Sequence, residues 1–161
     1  MPGEYSYFSR LRIPQVRIEH TDGSWLDPAY SMIVDTGAAI TVVPKKIVDG
    51  HQLKWFPIAD PPVTIDLGGA FGKAHRRYDV GYLLFLLPEI PDLKFPTICA
   101  VADDATRMLL GMNFLQPNFA MHPLTAPFPG RVTPGSYRLD LKDSHLGMPI
   151  DELFVPPKLP D

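Results

Sequence analysis

Apolar and polar residues alternate with a period of two along much of the chain, and helical periodicity is nearly absent. Val16 and Ile18 alternate with Arg17 and Glu19 and run into the turn Thr21-Asp22-Gly23-Ser24. Met32-Ile33-Val34 leads straight into Asp35-Thr36-Gly37. Thr41-Val42-Val43 is β-branched throughout and stops at Pro44. Lys45 to Val48 suits one helical turn, closed by Asp49-Gly50. Val63 to Leu67 alternates cleanly, and Lys73 to Val80 reads as its return strand across Gly68-Gly69-Ala70-Phe71-Gly72. Tyr82 to Leu87 and Thr97 to Val101 are continuous apolar runs that suit buried strands. Leu109-Leu110 ends at Gly111, and Met112 to Gln116 reads as a short helix stopped by Pro117. The pattern predicts an all-β fold.

Proline sharpens that picture. Nineteen of 161 residues are proline, roughly twice the usual ~5%, and this excludes long helices over much of the chain. The prolines gather between Pro123 and Pro134, an extended connector. Beyond it, Tyr137 to Lys142 alternates again, so one more half-buried strand is expected, added to a sheet edge. Phe154 to Asp161 should be extended or loose. The length suits one domain with a sizeable core. A net charge of −3 argues against a nucleic-acid partner. Cys99 stands alone, which excludes an intrachain disulfide and a thiolate metal cluster. The first residues lack the basic start and apolar stretch of a signal peptide, and Tyr82 to Leu87 is too short to span a bilayer. A cytoplasmic protein with no membrane insertion is expected.

The chemistry gathers around Asp35. An acid closes an apolar strand, a hydroxyl residue and a glycine form a tight bend, and a second apolar strand leaves. Burial against apolar neighbours disfavours the charged form of such an acid. Gly37, without a Cβ, allows both the sharp turn and close backbone approach. A bare Asp-Thr-Gly is also an ordinary turn; the apolar flanks set this one apart.

Met32 to Val43 resembles the active-site signature of the aspartic peptidases, and Ala38 after the glycine is closest to the retroviral, or retropepsin, branch. Gly68 to Gly72 with Arg77-Tyr78-Asp79 resembles the flap hairpin and its return strand. Leu109-Leu110-Gly111-Met112-Asn113-Phe114-Leu115 is similar to the apolar-apolar-Gly motif and short helix that close that fold. The blocks stand in family order between Leu11 and Leu124. The resemblance implies a closed-barrel acid-protease domain over residues 1–124, followed by a Pro-rich extension over 125–161.

A single Asp-Thr-Gly implies a homodimer with one Asp35 from each subunit, two carboxylates sharing a proton. Asp35, Thr36 and Gly37 are then catalytic, with the Thr36 hydroxyl reaching across the two-fold axis. Ile33, Ala38, Ala39 and Leu109 would bind an extended peptide substrate, like an added strand. Gly68, Gly69, Ala70 and Phe71 would fold over it. No metal or cofactor is implied. The family's ion pair is missing, since Ala39 and Met112 replace its usual Asp and Arg, and no lone buried charge is left behind. The strand at Tyr137 to Lys142 is expected to offset that loss at the subunit interface.

Other signals are weaker. Gly68 to Lys73 is one residue short of a phosphate loop and lacks its Ser/Thr. His20, His51, His75, His122 and His145 show no metal-ligand spacing. No Gly-x-Ser-x-Gly elbow occurs. Asp103-Asp104 reads as a solvated turn, His75-Arg76-Arg77 as a solvated face, and Cys99 as core filler. Two rival readings stand beside the endopeptidase. One is a catalytically inactive relative that dimerises or grips peptides; the other is a lidded β-barrel that binds a small ligand through Asp35.

Overall fold

The computed structural model describes residues 6–58, 64–67, 76–103, 105, 107–123 and 136–157. Its elements are β1 (Ser6–Arg10), β2 (Arg12–Ile18), β3 (Tyr30–Val34), β4 (Thr41–Pro44) and α1 (Lys45–Gly50), then β5 (Phe56–Pro57), β6 (Thr64–Leu67) and β7 (Arg76–Leu87). They continue with β8 (Ile90–Ala102), β9 (Leu109–Leu110), α2 (Met112–Asn118), β10 (Phe119–Pro123), β11 (Ser136–Leu141) and β12 (Met148–Pro149). The expected all-β character holds. Among the described residues, no helix is long and apolar enough to cross a membrane.

Strands β8, β4, β9, β3, β2 and β7 are hydrogen-bonded in that order, and β7 pairs back with β8, so six strands close into a barrel. Its core holds Ile13, Ile18, Met32, Leu83, Phe85, Phe95 and Phe114, all fully buried. The hairpin of β7 and β8 dominates the barrel wall, registered from Asp79 opposite Val101 to Leu87 opposite Ile90. The sequence pattern splits this region into shorter strands, because Gly81 and the prolines at 91 and 96 read as breaks. The β8 stretch from Phe95 to Ile98 lies between the residues facing β12 and those facing β4, and pairs with β7 alone. A proline is tolerated where one side of a strand is unpaired. Gly81 is needed for another reason: a Cβ there would strike the Phe56 carbonyl and lie 2.7 Å from the Trp55 ring.

The expected helix at Met112 exists but passes Pro117 and ends at Asn118. A proline in the last turn removes only one hydrogen bond, so the helix closes two residues later than expected. Asn118 is buried and anchors the turn beyond β11. Its Nδ2 donates to the Phe114 carbonyl at 2.8 Å, its Oδ1 accepts the Leu146 N–H at 2.8 Å, and its carbonyl accepts the Lys142 N–H at 2.8 Å.

The strand expected at Tyr137 is present as β11, but not at a sheet edge. It lies between β1 and β10, antiparallel to both, in a separate three-stranded sheet. Leu139 and Leu141 turn into the core, whereas Arg138 and Asp140 turn outward and pair at 3.1 Å. The edge expectation failed because β1 carries no clear alternation, so a second partner for β11 was not legible. Phe154, which opens the segment expected to be extended or loose, packs edge-on against Phe56 at 5.4 Å and tilted on Tyr82 at 5.2 Å.

Leu139 is fully buried, so Leu139→Ala should cost about 2–5 kcal/mol, read as a lowered urea midpoint. A loss no larger than that of a surface substitution would mean that the extension is not part of the core. Tyr7, opposite Leu139 on β1, has its phenol pushed up to about 12 by burial and by the negative charge of Glu89. The neutral phenol is favoured in the folded state, so its contribution is complete below pH ~10, the unfolded value, and is lost as pH rises toward 12. Tyr7→Phe should flatten the fall in stability across that window in alkaline denaturation.

Candidate functional site

The site begins with a strand threaded between two others. β3 and β4 are joined through the loop 35–40, yet they do not pair with each other. The two-residue strand β9 lies between them, parallel to β3 and antiparallel to β4. Ile33 stands opposite Leu109 and Val34 opposite Leu110. The Asp35 N–H donates to the Leu110 carbonyl at 3.0 Å, so β9 holds the acid at the point where the chain leaves the sheet.

The loop then closes on its own carboxylate. The Gly37 N–H donates to Asp35 Oδ1 at 2.9 Å, and the Ala38 N–H to the Asp35 carbonyl at 3.2 Å. This is an Asx turn, in which the aspartate accepts from the backbone two residues on. Asp35 Oδ2 accepts no hydrogen bond from the described residues. Asp35 is half-buried, and Thr36, Gly37 and Ala39 are exposed. Thr36 makes no hydrogen bond within the described residues.

Beneath the loop lies a polar clamp. α2 has no side-chain cap; its first N–H groups, at Met112 and Asn113, donate to the carbonyls of Ala38 at 2.8 Å and Ala39 at 3.2 Å. Donors that every helix leaves unpaired are thereby spent on the Asp35 loop. Asn113 Oδ1 accepts both the Thr41 N–H at 2.8 Å and the Thr41 hydroxyl at 2.9 Å, while its Nδ2 donates to the Ile98 carbonyl at 2.6 Å. The Thr41 Oγ1 in turn accepts the Gly111 N–H at 3.1 Å. Thr41 is fully buried.

Of the residues singled out by sequence, Ile33, Asp35, Thr36, Gly37, Ala38, Ala39 and Leu109 come together on β3, its loop and β9. Gly68, Gly69, Ala70 and Phe71 lie outside the described residues, as do His75 and the side chains of Arg76 and Arg77. Ile33 and Ile40 pack against a small apolar cluster of Val42, Tyr78, Ala100, Ala102, Ala105 and Leu109. Tyr78 brings the hairpin strand β7 to this cluster. Sequence reading missed the Thr41–Asn113 pair; a buried Thr at the first position of a β-branched strand is its one local signal.

Cys99 is fully buried on β8, and burial pushes its thiol well above the usual range; core filler is the right description. Asp103 is exposed, 4.0 Å from the Lys45 ammonium, in keeping with a solvated turn. Among the described residues, no three His, Cys, Asp or Glu side chains gather as a metal site would require. No protein-family model matches the chain, and no curated protein matches it.

Thr41→Val keeps the shape of the side chain and removes its hydroxyl. The buried Gly111 N–H then loses its acceptor, which should cost about 1–3 kcal/mol. Thermal unfolding of the variant checks this; an unchanged midpoint would show that the clamp does not hold the loop.

Proposed function

We propose that the protein is an aspartic endopeptidase of the retropepsin type, acting as a homodimer on extended peptides. One observation carries the reading. Asp35 ends β3 in a loop whose geometry is fixed from below by β9 and α2, with Oδ1 held by the Gly37 N–H, while Thr36 and Gly37 beside it are exposed. A carboxylate held so firmly at an accessible tip suits a mechanism that requires its position to be exact to a fraction of an ångström.

The chain has one Asp-Thr-Gly, and the mechanism needs two carboxylates, so a second copy supplies the other. Two carboxylates side by side cannot both ionise and hold one proton between them. The ionised one takes a proton from a bound water as the water oxygen bonds to the scissile carbonyl carbon. The protonated one donates to the carbonyl oxygen. The tetrahedral intermediate then collapses, the C–N bond breaks, and the leaving nitrogen receives a proton from the dyad. Ile33 and Leu109, which pack in one apolar cluster, would line the subsites for side chains next to that bond.

A peptide-library cleavage assay from pH 4 to 7 tests the reading, with Asp35→Asn beside the wild type. The variant should lose activity by roughly 10²–10⁴-fold while sedimenting and melting like the wild type. Wild-type activity should also fall faster than enzyme concentration once dilution separates the dimer. Equal rates in Asp35→Asn, or strict proportionality to concentration in a sedimenting monomer, would refute the proposal. A dimer that binds peptides without cutting them would favour the inactive peptide-binding module instead.

A further inference from the structure

An open groove of about 590 Å³ adjoins the Asp35 loop, lined by Ala39, Met112, Asn113, Gln116, Pro117 and Lys142. Ala39 belongs to that loop, and its carbonyl accepts the Asn113 N–H at 3.2 Å, so groove and acid share one piece of backbone. Most of the lining is inert. Ala39, Met112 and Pro117 are apolar, the Asn113 amide is spent on Thr41 and the Ile98 carbonyl, and Gln116 adds an uncharged amide.

Lys142 is the exception. It is the one charged residue in the lining, and it comes from the extension rather than from the barrel. Its backbone is tied to α2 through the Asn118 carbonyl at 2.8 Å. Its Nζ donates to the Gln116 carbonyl at 2.6 Å, which pins the ammonium at the groove with a neutral acceptor. An ammonium has three donors, and no carboxylate of the described residues lies within ion-pair distance of this one. A cation held in place beside an apolar groove and left without a counter-charge is suited to a carboxylate that arrives with a ligand.

We infer that this groove is a subsite for an acidic side chain of the peptide bound at Asp35, with Lys142 as the residue that selects it. The inference rests on the endopeptidase reading and narrows its substrate class to peptides with Glu or Asp a few residues from the scissile bond. An extended peptide advances about 3.3 Å per residue, so a chain passing Asp35 reaches the Ala39 side of the loop within a few positions. The methyl and thioether groups of Ala39 and Met112 take the stem of a glutamate, and Lys142 meets its head.

The test is a binding measurement, independent of turnover. The full chain carrying Asp35→Asn is titrated, by fluorescence anisotropy, into labelled peptides with apolar centres and amidated C-termini. The peptides differ only in a single Glu, Gln or Lys moved along the sequence. At one position, Glu should bind roughly tenfold more tightly than Gln, as a hydrogen-bonded charge pair implies. Adding Lys142→Met should bring that ratio to about one, Lys142→Arg should retain most of it, and Lys142→Glu should favour Lys at the same position. Urea midpoints of the three variants show whether each still folds, and Lys142→Arg keeps the test decisive if Lys142→Met does not. No Glu preference at any position, a preference that survives Lys142→Met in a folded protein, or no peptide binding would each overturn the inference. Cleavage by the wild type separates the two readings. Cutting without acidic preference removes the subsite alone, whereas Lys142-dependent binding without cutting removes the endopeptidase.

Discussion

The backbone of Gly111 lies so close to the loop 38–40 that a Cβ on it would sit 2.5 Å from the Ile40 carbonyl carbon and 2.9 Å from the Ala38 oxygen. A side chain there would push β9 and α2 away from the turn that carries the acid. Without one, the Gly111 N–H reaches the Thr41 hydroxyl, the first N–H groups of α2 reach the Ala38 and Ala39 carbonyls, and β9 fits between β3 and β4. The barrel closes through β9, so one short contact supports both the architecture and the aim of Asp35. The fold and the candidate chemistry are therefore not separable parts of this molecule.

The extension is part of the same body. β11 fills the centre of the small sheet, Asn118 ties the following turn to α2, and Phe154 reaches the aromatic surface of β5 and β7. It supplies the core side chains of Leu139 and Leu141 and the one charged residue that lines the groove. The outward face of β11 and β10 is a charged one, where Asp140 meets both Arg138 and His122 at 3.1 Å. Exposed pairs of this kind stabilise little; their effect is to keep that face polar.

Period-two alternation and β-branched runs made the strands around Asp35 legible, because their side chains are sorted by burial on a single sheet. The Asp35 loop was legible for a different reason: Gly111 is required by backbone approach, and glycine at such a point leaves a readable mark. Three things were hidden. Pairing between β7 and β8 runs on through Gly81 and Pro96, which local propensity treats as breaks. The pairing of β1 with β11 joins segments remote in sequence, and no local pattern records which strand meets which. The Thr41–Asn113 clamp escaped for the same reason, since two polar residues so far apart acquire meaning only once β4 and α2 are neighbours. The acid, its turn, its apolar flanks and the short elements β9 and α2 were visible; the contacts that join them were not.

Ser6 registers with Asp140 and Arg10 with Ser136, and this sets an order of events. A chain made from its N-terminal end displays β1 without its strand partner until β11 has emerged. Pairing over so long a separation carries a large loop-closure entropy and slows folding. The barrel, whose hairpin β7–β8 is local, can assemble first, and the small sheet then locks onto it. Through that interval, an unpaired β1 is a sticky edge in a crowded cell, and escape from misassembly depends on how quickly the late strand arrives.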